Sequence, residues 1–364
     1  MLAQTVTHIP SPDMLGLPMP AWLGQCLMAM TLAVHWAFLA MTAGGLGGLL
    51  LGRAQRDARR RLAGLMPITL AMAMTVGIAP LLFVQVLYGQ FFYSANILMG
   101  YVWLGLLPIM VAAFYLLYYC WRLAGQGRST CRPALLALVL MGLAAAILVA
   151  NATLAQSPHA WRAFAAMGAV RPYMGDPAFW PRWTLAAATM LAGGGLFLAI
   201  WRQATANADN GDNAGAPQAS SVRRPAVAGL LGLAAMLGAV VWTASVLPGE
   251  TTLALPRGPE YAVAGWAVIV AIDVAIVLSI LAVRRPSLSR LVPAAGAMFI
   301  ALFAIAAARD AIRRAALRPA FDLSCVPVHA QWDSFALWAV VLAVGLALVA
   351  YMIALTVRSK PHAQ

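Results

Sequence analysis

The chain has 364 residues, 63% of them hydrophobic and 10% charged, where soluble domains carry roughly 25% charge. With a mean hydropathy of +0.82 it lacks the polar surface to coat a water-facing globule. A net charge of +13 would suit nucleic acid by itself. Here, however, the charges sit in short stretches between long apolar runs, which points to a lipid bilayer and away from nucleic acid.

Residues 1–20 hold no Lys or Arg, so they do not read as a signal peptide with a basic n-region. About 20 apolar residues in a helix cross a bilayer core. Stretches of that kind lie near 21–51, 64–90, 97–121, 134–155, 182–201, 226–247, 261–283, 291–308 and 334–357. Lipid cannot satisfy open backbone groups, so these must be helices. The expected fold class is an all-α polytopic membrane protein with about nine transmembrane helices. Placing residues 53–61 in the cytoplasm puts 16 of the 24 Lys and Arg inside and 8 outside. That bias sets the N-terminus outside and the C-terminus in the cytoplasm, as in a bacterial-type inner membrane.

Residues 156–181 form an outside loop whose Trp and Tyr suit the headgroup region, so a short surface helix is expected there. The Ala-, Asn-, Asp-, Gly- and Ser-rich segment around 203–225 reads as a flexible cytoplasmic linker. It divides a five-span front part, 1–202, from a four-span back part, 226–364. The four cysteines, Cys26, Cys120, Cys131 and Cys325, form no CxxC or CxxCH motif. Only Cys325 falls in an outside loop, so no intrachain disulfide is expected.

Five places could carry chemistry. His35 is the only histidine inside any expected span, and an intramembrane histidine is functional by default. Haem iron would satisfy one ring nitrogen, and a bond to a neighbouring helix is the competing reading. Nearby, Gly44, Gly45, Gly47 and Gly48 allow close approach of another helix or of a flat ring, helix packing being the commoner use. The second span ends in Gln85, Tyr88, Gly89, Gln90, Tyr93 and Asn96, which could line a cofactor or quinone pocket or form an interfacial cap. Asp273 in VIVAIDVAIVL is costly in lipid. It reads as a proton-relay candidate or as a neutral carboxyl bonded inside the bundle. Arg309 and Arg313, at i,i+4, face one way and could hold carboxylates such as haem propionates. They could equally dock an acidic partner or be solvated charge.

In chain order this pattern resembles subunit I of cytochrome bd-type quinol oxidases. AMTLAVHWAFLAMTAG looks like the family segment whose histidine binds the active-site haem, with His35 in that position. GIAPLLFVQVLYGQ is similar to the polar-ended second span, with Gln85 where the family has Glu. ILVANATLAQSP, with Asn151, resembles a Val-Ala-Asn segment running into Pro. The resemblance implies a nine-span bd-like bundle with an outside N-terminus. It also departs from the family. Leu185 stands where the fifth span should carry a ligand histidine, and the quinol loop shrinks to Pro248–Glu260. The eighth span lacks its glutamate, and ARDAIRRA replaces the Gly-Arg-Gln-Pro-Trp signature. These departures argue against full three-haem O2 reduction.

The expectation is therefore a bd-like electron-transfer subunit, a component of a quinol-linked oxidoreductase. It would bind one or two b-type haems through His35, with Gln85, Gln90, Asn151, Arg309 and Arg313 as further cofactor-site candidates. It would pass electrons between the quinone pool and a redox partner, with other membrane subunits and an outside c-type cytochrome as expected partners. The alternatives are a haem-poor scaffold of a respiratory complex and, with less support, a transporter, for which no inverted repeat is visible.

Overall fold

The computed structural model describes residues 9–12, 15–50, 56–168, 170–210, 219–247 and 259–358. Its elements are α1 (Ala21–Leu50), α2 (Arg56–Leu98), α3 (Gly100–Leu104), α4 (Leu106–Gly125), α5 (Cys131–Ala155) and α6 (Trp161–Ala165), followed by α7 (Phe179–Asn210), α8 (Ala219–Val246), α9 (Pro259–Arg284), α10 (Leu288–Leu317) and α11 (Trp332–Arg358). Among the described residues there is no strand, only an isolated bridge between Leu17 and Val328.

Among the described residues, eight helical stretches are long and apolar enough to cross a membrane, with α3 and α4 counted together. This fits a polytopic membrane protein. The ninth expected span falls on α11. Its apolar stretch among the described residues, Trp332–Gly345, is shorter than the other eight.

Helices α1 and α2 run antiparallel, as do α7 and α8, and α1 is the hub, packing on α2, α5, α7 and α10. At the end where α1 starts, the core holds Tyr88, Phe91, Leu154, Trp161, Phe164 and Phe179. Towards the other end Leu46, Leu49, Met66, Leu70 and Leu117 fill the space between α1, α2 and α4. A third cluster joins α1 and α7 to α8, α9 and α10 through Ala33, Leu196, Met236, Ile272 and Met298.

Helix α2 is longer than a span requires, at 43 residues. It is broken at Tyr88 (φ −141°, ψ 34°), beside Gly89, a poor helix former. The short helix expected within 156–181 is α6. It does not stand apart from the bundle. Trp161 and Phe164 are buried, with their rings 6.2 Å from Phe91 and 5.4 Å from Tyr173 respectively.

The linker expected over 203–225 is helical on both flanks, because α7 runs to Asn210 and α8 starts at Ala219. Residues 211–218 lie outside the described residues, as does most of the Pro248–Glu260 loop. Helices α7 and α8 pack along each other, so the front and back parts share one bundle. At the arginine-rich end, Arg56 and Arg59 donate to the carbonyls of Gly125 and Arg128, supplying partners at the C-terminus of α4. At the opposite end Leu17 exchanges 2.8 Å backbone hydrogen bonds with Pro327 and His329, tying the start of the chain to the approach to α11.

Candidate functional site

His35 sits midway along α1 and faces α2, where its Nδ1 lies 2.7 Å from the carbonyl oxygen of Ala73. A carbonyl only accepts, so Nδ1 carries the hydrogen and the neutral ring keeps its lone pair on Nε2. The two sequence readings of this histidine are thus compatible, because the bond to the neighbouring helix uses only one ring nitrogen. Gly77, four residues beyond Ala73 and on the same face, makes the seat possible. A Cβ built there would lie 2.6 Å from Nδ1, so the ring fits only against a bare backbone. Among the described residues no group of three or more His, Cys, Asp or Glu could hold a metal ion. A metal at His35 would have to come with its own equatorial ligands, as haem iron does.

The glycine run next to this histidine serves helix packing. A Cβ on Gly44 would stand 2.2 Å from the carbonyl oxygen of Gly194, so α1 and α7 touch backbone to backbone. Gly47, by contrast, has open space around it. Leu185 is a partly buried member of the hydrophobic cluster that includes Ala33 and Trp36.

The larger constellation lies nearer the end where α1 starts. Tyr88, aimed inward from the break in α2, donates its hydroxyl to Asp310 Oδ1 at 2.9 Å. Arg313 Nη1 donates to the same oxygen at 3.3 Å, and Arg314 Nε lies 3.6 Å from Oδ2. The Arg313 guanidinium also stacks 5.0 Å above the Tyr88 ring and reaches Met28 Sδ at 3.5 Å. One turn earlier, Arg309 lies 6.0 Å over Trp36, the residue after His35. The i,i+4 arginines therefore share the face of α10 that meets α1, as the spacing predicts. Arg182, from the first turn of α7, donates to Thr153 Oγ1 at 3.0 Å and Gln156 Oε1 at 2.9 Å on α5.

Charge does not balance in this cluster. Arg313 and Arg182, both cations, lie close enough to Arg309 to repel its charge. Arg182 adds Asp176, whose carboxylate is already bonded to Ser157 Oγ at 3.3 Å and the Ala178 N–H at 2.8 Å. Asp310 is 4% exposed and shared among Tyr88, Arg313 and Arg314. Among the described residues, the guanidiniums of Arg182, Arg309 and Arg313 thus share two engaged carboxylates. The arrangement can hold a further anion of the kind that bidentate arginine recognises.

No protein-family model matches this chain, and no curated protein matches it.

The remaining sequence candidates lie apart from these two places. Gln85 Oε1 accepts from the Tyr93 hydroxyl at 3.0 Å on an exposed part of α2. The side chain of Gln90 is partly buried, and its backbone carbonyl accepts from Ser94 Oγ at 2.7 Å. Asn151 Nδ2 donates to Asn96 Oδ1 at 2.8 Å and joins α5 to α2. Asp273 corrects an expectation. It is exposed on α9 and, among the described residues, bonds nothing inside the bundle. Ile272 and Ala275 occupy the buried face, and the helical turn carries Asp273 off it.

Sequence reasoning did not single out Arg182 or join Tyr88 to Asp310. The available signal was a lone arginine in the first turn of an apolar span, which has to find polar partners within the bundle. The Tyr88–Asp310 bond spans 222 residues, and no local pattern encodes it.

Proposed function

We propose that this chain is a bd-like integral membrane electron-transfer subunit that holds a b-type haem on His35 Nε2. It would pass electrons between the quinone pool and a redox partner, with the N-terminus outside a bacterial-type inner membrane and nine spans in all. The carrying observation is the 2.7 Å bond from His35 Nδ1 to Ala73. A ligating imidazole characteristically donates its other nitrogen to a carbonyl or carboxylate, which fixes the tautomer and raises the basicity of the ligand. Haem, when bound, supplies one-electron redox chemistry. The chain's own residues supply an oriented imidazole, an apolar surround and unmatched cations. Arg309 and Arg313, joined by Arg182, suit haem carboxylates, and Asp310 with Tyr88 holds Arg313 in place. Gln85 and Gln90 remain candidates for a quinone headgroup.

The test is the reduced-minus-oxidised spectrum of the purified protein. The expected result is b-type bands in the wild type that vanish in His35→Ala while the folded yield is kept. A well-folded wild-type protein without any haem would reject the reading.

A haem-poor anchoring subunit has one specific observation in its favour. The Gly44–Gly194 contact closes the α1–α7 seam that a flat ring could otherwise enter. Haem-free wild-type protein that still holds its complex together would select that reading.

A further inference from the structure

Asp273 lies near the middle of the apolar stretch Val263–Arg284 of α9. That helix buries Val268, Ile272, Ala275 and Ala282 against its neighbours. Its other face, with Trp266, Val270, Asp273 and Val277, is exposed. Among the described residues Asp273 has no hydrogen-bond or ion-pair partner, whereas Asp310, a buried carboxylate near the end of a span, contacts Tyr88, Arg313 and Arg314. At mid-membrane neither water nor lipid tails can satisfy a carboxyl group. No described residue of this chain meets that need, so a partner on another chain would.

Charge complementarity identifies its kind. A second copy meeting the first on this face would oppose carboxylate to carboxylate. Its buried cations lie towards one end of the bundle and are engaged there, with Arg182 bonded to Thr153 and Gln156 and Arg309 stacked on Trp36. Helix α11 has no charged residue between Asp333 and Arg358 to offer. We infer that the exposed face of α9 docks a transmembrane helix of a different subunit, one that carries a Lys or Arg at mid-depth opposite Asp273. This inference does not depend on haem at His35.

The experiment places a photo-crosslinking residue at Val270 in the full chain, in its native membrane. The expected adduct is with an integral membrane protein whose crosslinked helix has a mid-span Lys or Arg. Asp273→Leu and Asp273→Lys should each lower that adduct at least tenfold. Exchanging the partner's basic residue for Asp should restore it to Asp273→Lys. Because the side chain is exposed, Asp273→Leu should leave the thermal stability of the isolated chain unchanged or raised, which separates docking from folding. An adduct with a second copy, no protein adduct, or an adduct unchanged by Asp273→Leu would each overturn the inference.

Discussion

At the scale of single residues, Asp310 is the keystone of the charged cluster. It is the only carboxylate among the described residues that contacts Tyr88, Arg313 and Arg314 together. Removing one partner of a buried ion pair leaves the other charge uncompensated, at about 3–5 kcal/mol. Asp310→Ala should therefore lower unfolding stability in detergent by about that amount. Tyr88→Phe removes one hydrogen bond to a charged group and should cost about 1.5–3 kcal/mol. A pair of variants no less stable than wild type in chemical denaturation would contradict the assigned network. The sequence alone marked His35 as an expensive polar residue inside a span, and Arg309 and Arg313 by their i,i+4 spacing. It did not reveal their partners. Ala73 offers a backbone carbonyl, which any residue has, and Gly77 is one glycine among 30.

At the scale of elements, hydropathy locates the long helices well because a lipid-spanning segment can do little else. It does less for their ends. Helices α7 and α8 continue into the stretch read as a linker, where Ala204, Ala206, Ala208 and Ala219 favour a helix. The outward rotation of Asp273 was likewise hidden, because α9 is apolar on all sides and shows no face by pattern alone. Packing between elements concentrates at the Gly44–Gly194 contact. Gly44→Ala would place a methyl group 2.2 Å from a carbonyl oxygen. It should cost about 1–3 kcal/mol by overpacking, whereas Gly47→Ala, with open space around it, should be near neutral. Melting temperatures of the two variants in the same detergent check this, and equal values would show that α1 and α7 do not meet there.

At the scale of the whole molecule, the bundle separates charge by end. The arginines that cap α4 lie at one end, and the Asp310 cluster lies nearer the other. The bias of basic loops predicts that the first end is cytoplasmic. In a cysteine-free background, Ala320→Cys should react with a membrane-impermeant maleimide in intact cells, and Ser129→Cys only after permeabilisation. Reversed labelling would invert the topology and place the cationic cluster on the cytoplasmic side. The Ala320 end is also where a soluble electron carrier would approach, so orientation bears directly on the proposed direction of electron flow.

The central claim is that Nε2 of His35 is the iron ligand, and imidazole rescue tests it most directly. His35→Gly removes the ring and leaves a space of its size between α1 and α2. The purified variant should lack the b-type difference spectrum and regain it when imidazole is added together with haem. A spectrum that persists in His35→Gly without imidazole would contradict the assignment, as would a variant that imidazole cannot rescue although it folds as the wild type does.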